Sequence, residues 1–496
     1  PQSIFTIPGN ELITESFVHM AGVESAIEGI GFGPAQIITQ ILAHGIWIAD
    51  GVELTLMTAL AASVGQDLQL SQGAVASITS IVFLGIALGC GVSGYLGDTY
   101  GRRFPVLASY LGIGCLATAC SMTHHFMVLL VLRFLEGIFM GMGMPASLTL
   151  VSEMSPVGWR MSLMAMRGVS FALGNIFAVF ILLLDDPKMT ALHWRLDILL
   201  GVLPCMVLGL LAVGNLHESA VFLSKAGRPE EAKQVLDWMR RMNSYHIHEV
   251  DSGCLEPLMT SEGTAANVGH GPSQNGAVVG PPTKPLSLAA QLGMIFSRRL
   301  ICSTLVLCFA AFSLNLNEYG IAYAEPRVLP GAHGPMPPAW LLLMKYMVNI
   351  PVRLGAAIPA EMLGRQRALA LGLFASALGV LLFSQAVGKV WAFAVAVEYF
   401  SGQYLPLLGI ALGWIGTYQL SVETFPTAVT VTGSGLVIAC GRLGAIVAPY
   451  AFEYFEGGWR HFYIFMGLCA AMASLLSTIA LRHEKGQDDQ QEKSCA

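Results

Sequence analysis

Charge is scarce in this chain of 496 residues: Asp, Glu, Lys and Arg together make up 12% of it. Soluble domains carry roughly 25%, so a soluble fold could not cover its surface with what is available. The net charge of −6 excludes a nucleic-acid binder that works by neutralising phosphates. No basic residue occurs before Arg102. The N-terminus therefore lacks the basic start of a signal peptide, and Glu11, Glu15, Glu24 and Glu28 stand there instead. The chain opens on Pro1 rather than Met, so a fragment or a trimmed chain is expected. There is no Asn-x-Ser/Thr sequon to mark a glycosylated loop. The ten cysteines make no disulfide framework: eight lie in apolar runs, and Cys254 and Cys495 lie in polar segments. Catalytic equipment is missing as well. There is no nucleophile–base pair and no Walker-type lysine. The Gly29–Gly33 run has no strand before it and reads as an entry turn rather than a dinucleotide loop. His124-His125 and His246/His248 lack further ligands at metal spacing. No enzyme activity, cofactor or metal site is expected, and transport driven directly by ATP is disfavoured.

Apolar residues are what the chain has in quantity: 54%, with a mean hydropathy of +0.63. The apolar runs are long and do not alternate, which selects membrane helices over membrane strands. Twelve stretches of spanning length centre near Asp50, Leu84, Gly112, Ile138, Phe171, Val207, Ala310, Ile350, Leu373, Leu407, Gly441 and Ala470. The expected fold class is an all-α polytopic membrane protein of twelve helices in two six-helix bundles. Expected boundaries are a cytoplasmic N-terminal segment (1–34), a first bundle (35–214), a cytoplasmic linker (215–298), a second bundle (299–482) and a cytoplasmic tail (483–496). Within the linker, Glu218 to Met242 reads as a charged amphipathic helix and Asp251 to Leu288 as a flexible Gly/Pro/Ser-rich stretch. Basic residues set the orientation. With the N-terminus inside, sixteen of the 26 Lys and Arg fall in inner segments, five in outer loops, and Arg133, Arg167, Lys345, Arg353 and Arg442 within spans.

Two loop motifs recur in the same order. Gly97-Asp98-Thr99-Tyr100-Gly101-Arg102-Arg103 follows span two, and Ala360-Glu361-Met362-Leu363-Gly364-Arg365 follows span eight. Glu153 and Pro156 after span four are matched by Glu423 and Pro426 after span ten. Duplication explains both pairs. Such glycine–arginine loops fit tight connections that close one side of a bundle: Gly97, Asp98, Gly101, Arg102, Glu153, Arg160, Glu361, Gly364, Arg365 and Glu423 are the gating candidates.

These loops resemble the signature of the major facilitator superfamily, in which nested repeats surround a midplane site. Trp47 to Glu53, Glu423 to Val429 and Gly441 to Ala445 are similar to its synaptic-vesicle-two-related branch, close to organic-ion and sugar porters. The resemblance covers roughly residues 20 to 480 outside the linker. One departure is Thr430, which stands at the counterpart of Arg160. The resemblance implies a secondary transporter of a small organic solute, working by alternating access as a proton symporter. It implies a monomer in the lipid bilayer of a plasma or vesicle membrane, with small-molecule substrate and protons as partners and no nucleic acid. A facilitative uniporter, or a non-transporting vesicle or receptor protein, is the alternative.

Buried charge supplies the remaining candidates. Asp50 and Glu53 lie mid-span and one turn apart. A carboxylate there is costly unless it faces a cavity or a partner. By resemblance to proton-coupled sugar porters, Asp50 is expected to pair with Arg133, with Glu53 the next candidate for coupling. Glu136, on the same face as Arg133, is the structural alternative as its partner. In the second half, Asn315, Glu318, Tyr319, Arg353, Tyr399, Gln403 and Arg442 are expected to bind solute.

Overall fold

The computed structural model describes residues 22–243, 288–328, 337–386, 393–425, 430–455 and 458–495. The 251–288 stretch lies almost wholly outside these residues, and the side chains of Asp98, Glu361, Tyr399 and Glu423 also lie outside the description. No strand occurs among the described residues. A short helix α1 (22–30) precedes the first bundle: α2 (Pro34–Asp67), α3 (Gln72–Tyr100), α4 (Arg103–Met122), α5 (Phe126–Glu153), α6 (Val157–Asp185), and α7 (Trp194–Gly201) with α8 (Leu203–Asn215). Then come α9 (Ala220–Lys225), α10 (Pro229–Asn243) and α11 (Leu288–Ile295). The second bundle is α12 (Ile301–Val328), α13 (Pro338–Gly355) with α14 (Ala357–Leu363), α15 (Arg365–Ala386), α16 (Phe393–Thr424), α17 (Thr430–Tyr454) and α18 (Trp459–Cys495).

These make twelve spans. Ten meet length and hydropathy criteria outright. The others are α13/α14, diluted by Lys345, Asn349 and Arg353, and α16. Spans six and eight, expected as single helices, are each broken in two. Proline explains both breaks, because its ring clashes with the carbonyl four residues earlier and it brings no N–H. Pro204 acts on Leu200, just before the α7/α8 junction, and Pro359 on Gly355, just before the α13/α14 junction.

The face carrying α9 and α10 is the linker face; the opposite one is the far face. On the linker face, α10 buries Ala232, Val235, Leu236 and Met239. Its last residue, Asn243, accepts from the Ala35 N–H (3.0 Å) and donates to Gln36 Oε1 (3.0 Å), tying the linker to the start of α2. On the far face the halves meet directly. The Ala339 N–H donates to the Pro187 carbonyl (3.3 Å), Ser80 Oγ donates to the Ile446 carbonyl (2.8 Å), and Val179 joins the apolar cluster of Ala324, Val328 and Phe462. Nearby, Asp186 organises the α6–α7 loop. Burial opposes its charge, but the N–H groups of Thr190 (2.6 Å), Ala191 (3.0 Å) and Lys188 (2.9 Å) outweigh it and hold the carboxyl at about 2.

Candidate functional site

The first-half gating candidates lie at the linker-face ends of α3 to α6, and Gly364 and Arg365 lie at the α14–α15 turn of the second half. Gly101 takes φ +97° and Gly364 φ +76°, a backbone conformation that suits glycine, so the duplicated loops share their turn. Arg102 donates to the Gly97 carbonyl (2.8 Å), pairs with Glu153 (3.2 Å) and lies 4.7 Å from the Phe222 ring centre. Arg160 donates to the Ser155 carbonyl (3.1 Å) and approaches Glu24 of α1. Sequence reasoning missed Glu218, which accepts from the N–H groups of Arg102 (2.9 Å) and Arg103 (3.1 Å) at the start of α4.

Deeper in, Asp50 and Glu53 part company. Three residues along a helix turn the side chain by about 300°, so the two point about 60° apart. Glu53 faces α5 and pairs with Arg133, whose other arm holds Glu136 at 2.8 Å. The expected Asp50–Arg133 pair does not form. Asp50 faces the other half instead, buried to 3% exposure, and its Oδ2 has no hydrogen-bond partner. Two glycines let α2 and α6 close up beside it. A Cβ on Gly51 would strike the Phe171 carbonyl, and one on Gly174 would strike the Ile48 carbonyl.

Asp50 opens onto a cavity between the halves, lined also by Trp47, Arg167, Asn315, Tyr319, Trp414 and Arg442. Arg442 donates to Tyr319 Oη (2.8 Å). Arg167 lies 4.7 Å from the centre of the Trp47 ring and has no carboxylate or hydrogen-bond acceptor among the described residues. A second cavity lies toward the far face, lined among others by Leu54, Asn175, Lys345, Tyr346 and Asn349. Phe171, Glu318 and Arg353 line both cavities and form the partition. Glu318 accepts from Arg353 (2.8 Å) and from Trp414 Nε1 (3.0 Å), and Arg353 donates to Asn349 Oδ1 (3.1 Å). Beyond the second cavity Lys345 is paired with the buried Glu325.

The structure thus gathers Asp50, Asn315, Glu318, Tyr319, Arg353 and Arg442 around one space. It leaves Glu53 and Arg133 within the first bundle, and Gln403 is buried but lines neither cavity. Arg167, Phe171 and Asn175 were not anticipated as lining residues. A charged residue in mid-span is itself a signal for Arg167; Phe171 and Asn175 carry none.

Known proteins are similar to this chain in sequence and in fold. A synaptic vesicle 2-related protein of Xenopus laevis is 25% identical over 456 residues, covering 86% of this chain and 74% of the relative. The niacin transporter NiaP of Acinetobacter baylyi is 24% identical over 446 residues, covering 89% and 92%. The xylose transporter XylE of E. coli, in a partially occluded inward-open conformation, superposes with a TM-score of 0.64 at 14% identity, over 89% of this chain and 98% of XylE. Residues 42–449 match the sequence profile of the Major Facilitator Superfamily. With twelve spans, two bundles and a charged cavity between them, the chain belongs to that superfamily and is a multi-pass membrane transporter, not an enzyme.

Proposed function

We propose that the chain is a secondary active transporter that moves a small organic anion with an aromatic or otherwise apolar body, by alternating access, with Asp50 as its proton-carrying group. One observation carries this reading: a carboxylate, Asp50, and a guanidinium, Arg167, neither of them ion-paired among the described residues, face the same cavity. Three guanidiniums (Arg167, Arg353, Arg442) and two carboxylates (Asp50, Glu318) line it, so one positive charge is in excess. A proton on Asp50 adds a second. A solute anion then removes much of the field, and the aromatic walls of Trp47, Phe171, Trp414 and Tyr418 cover its body. Niacin, the solute named for the bacterial relative, is an anion of this type.

In this reading Arg167 and Arg442 bind the anionic group, with Asn315 and Tyr319 beside them. The Glu318–Arg353 latch divides the cavity and must open for passage. The halves rock about this site, and the Arg102–Glu153 contact, together with Gly97, Asp98, Gly101, Arg160, Glu361, Gly364, Arg365 and Glu423, belongs to the linker-face gate. We place that face in the cytoplasm, on the sixteen-to-five bias of basic residues. Labelling of Cys254 by an impermeant maleimide added outside intact cells would contradict this placement.

The test is uptake into proteoliposomes of labelled aromatic carboxylates, organic cations and sugars, with and without an inward proton gradient. Carboxylates are expected to accumulate. Arg167→Gln removes a charge-assisted hydrogen bond worth about 1.5–3 kcal/mol, so half-saturation rises about ten- to a hundredfold. Accumulation of cations or sugars alone, or an unchanged half-saturation in Arg167→Gln, would defeat the proposal. Uptake that ignores the gradient would make the protein a uniporter.

A further inference from the structure

A buried acid that lines neither cavity lies where α6 gives way to α7. Asp197, in the first turn of α7, is fully buried, and neither of its carboxyl oxygens meets a hydrogen-bond donor. Its neighbours Trp194 and Ile198 belong to an apolar cluster with Ile181, Leu182 and Leu192. The polar group within its reach is a second acid, Asp185 at the end of α6, close enough to share a hydrogen when one of the two carries it. Asp185 accepts from the His193 N–H (2.7 Å) with one oxygen and lies 2.7 Å from His193 Nδ1 with the other. The His193 ring is exposed. Asp197, Asp185 and His193 thus form a file that runs from the apolar interior to water.

Among the described residues no Lys or Arg pairs with Asp197; the titratable groups that face it are Asp185 and His193. The helices packed on α7 from the other side present Asp67 of α2 and His124 just past α4, and both are turned to Arg195. Arg195 Nη1 donates to Asp67 (2.6 Å), Nη2 lies 3.0 Å from His124 Nδ1, and the guanidinium sits 4.0 Å from the Trp194 ring centre. Two carboxylates in contact cannot both keep their charge away from water. Asp185 has the His193 donors and stays ionised. Asp197 has none, so it takes the proton and turns its O–H to Asp185. The hydrogen bond to Asp185 also raises the His193 ring above its ordinary value.

The loop between Asp185 and His193 is also where the halves meet on the far face. The Pro187 carbonyl accepts from the Ala339 N–H of the second half (3.3 Å). Met189 packs against an apolar cluster of the first half and against one built mainly from the second. We infer that Asp197, Asp185 and His193 form a proton-binding site that clasps the far face: while the proton is held, the α6–α7 loop stays anchored and keeps the first half against the second. The proton comes from water by way of the exposed His193 ring and adds to one Asp197 oxygen, and no other bond is made or broken. Its loss sets two like charges in contact, and the loop loosens. A group favoured in its protonated form lends its stability at low pH and loses it as pH rises. The raised His193 acts in the same direction. The inference involves neither Asp50 nor a solute, so its failure leaves the reading of the cavity standing.

The experiment uses the full chain in lipid nanodiscs with no solute added. Hydrogen exchange of the His193 and Ala339 amides, divided by the intrinsic rate at each pH, is compared at about pH 5 and about pH 8.5, on either side of the ordinary histidine value of about 6.5. In the wild type the protection of both amides is expected to fall about tenfold or more between the two. Asparagine is the neutral isostere of a protonated aspartate, so Asp197→Asn folds, keeps both amides protected and shows no such step. His193→Gln retains the two acids and with them the step at Ala339. No step in the wild type, a wild-type step in Asp197→Asn, or loss of the step in His193→Gln would each overturn the inference. So would an Asp197→Asn chain that fails to fold, because the acid it replaces would then have been needed in its charged form.

Discussion

Replacing Glu218 loosens the turn that carries the repeated motif. Its carboxylate closes the start of α4 by accepting from the N–H groups of Arg102 (2.9 Å) and Arg103 (3.1 Å). The first N–H groups of a helix have no partner within the helix, and their partial positive charge favours an anion. Loss of a capping side chain costs about 1 kcal/mol, and the missing negative charge adds about 0.3–1 kcal/mol. A partly buried N–H left without an acceptor brings the total for Glu218→Ala to about 1.5–3 kcal/mol. Glu218→Gln keeps an acceptor and loses only the charge, so about a third of that is expected. Hydrogen exchange at the Arg102 and Arg103 amides reads this directly: about ten- to a hundredfold faster in the Ala variant, and a fewfold faster in the Gln variant. Gly101→Ala should act on the same turn, because its φ of +97° disfavours a side chain and its Cβ would press on the Glu218 carboxylate. Equal acceleration in Ala and Gln, or none in either, would refute the capping argument.

Two further perturbations follow from packing and charge. Gly174→Val places a branched side chain against the Ile48 carbonyl; overpacking of this kind costs about 1–3 kcal/mol or more, so a lower unfolding temperature and displacement of Asp50 from the cavity are expected, while an unchanged unfolding temperature would show that α2 and α6 can separate freely. Asp186 is held below its ordinary value, so the stability it lends the α6–α7 loop is complete above pH 3.8 and is lost as pH falls toward about 2; hydrogen exchange of the Thr190 and Ala191 amides should quicken through that window in the wild type and show no such step in Asp186→Asn.

The number of spans was legible in the sequence because a bilayer demands long apolar runs whatever the tertiary structure. The broken spans were half legible. Pro204 and Pro359 were in view, but many membrane helices absorb a proline, as α16 does at Pro406. The duplicated loops named the Gly101 and Gly364 turns correctly because positive φ leaves a residue-level mark. Charge partners were harder. Asp50 and Glu53 share a helical face at the resolution of one turn, and only the 60° between them decides which meets Arg133. Glu136, weighed as the structural alternative, turned out to share Arg133 with Glu53. Arg167 was visible as a basic residue in a span, but nothing in one sequence distinguishes a guanidinium that faces a cavity from one that is paired. Glu218 looked like any acid in a charged linker, because a cap supplied from 116 positions away leaves no local pattern.

The central claim is that Asp50 couples proton movement to solute movement. The direct measurement compares Asp50→Asn with wild type in proteoliposomes, using a carboxylate that the wild type accumulates. Accumulation driven by an imposed proton gradient and exchange of labelled for unlabelled solute at equal pH are followed in the same vesicles. The account predicts that gradient-driven accumulation disappears in Asp50→Asn while exchange persists at a measurable fraction of the wild-type rate. Accumulation that still follows the proton gradient in the variant would contradict it.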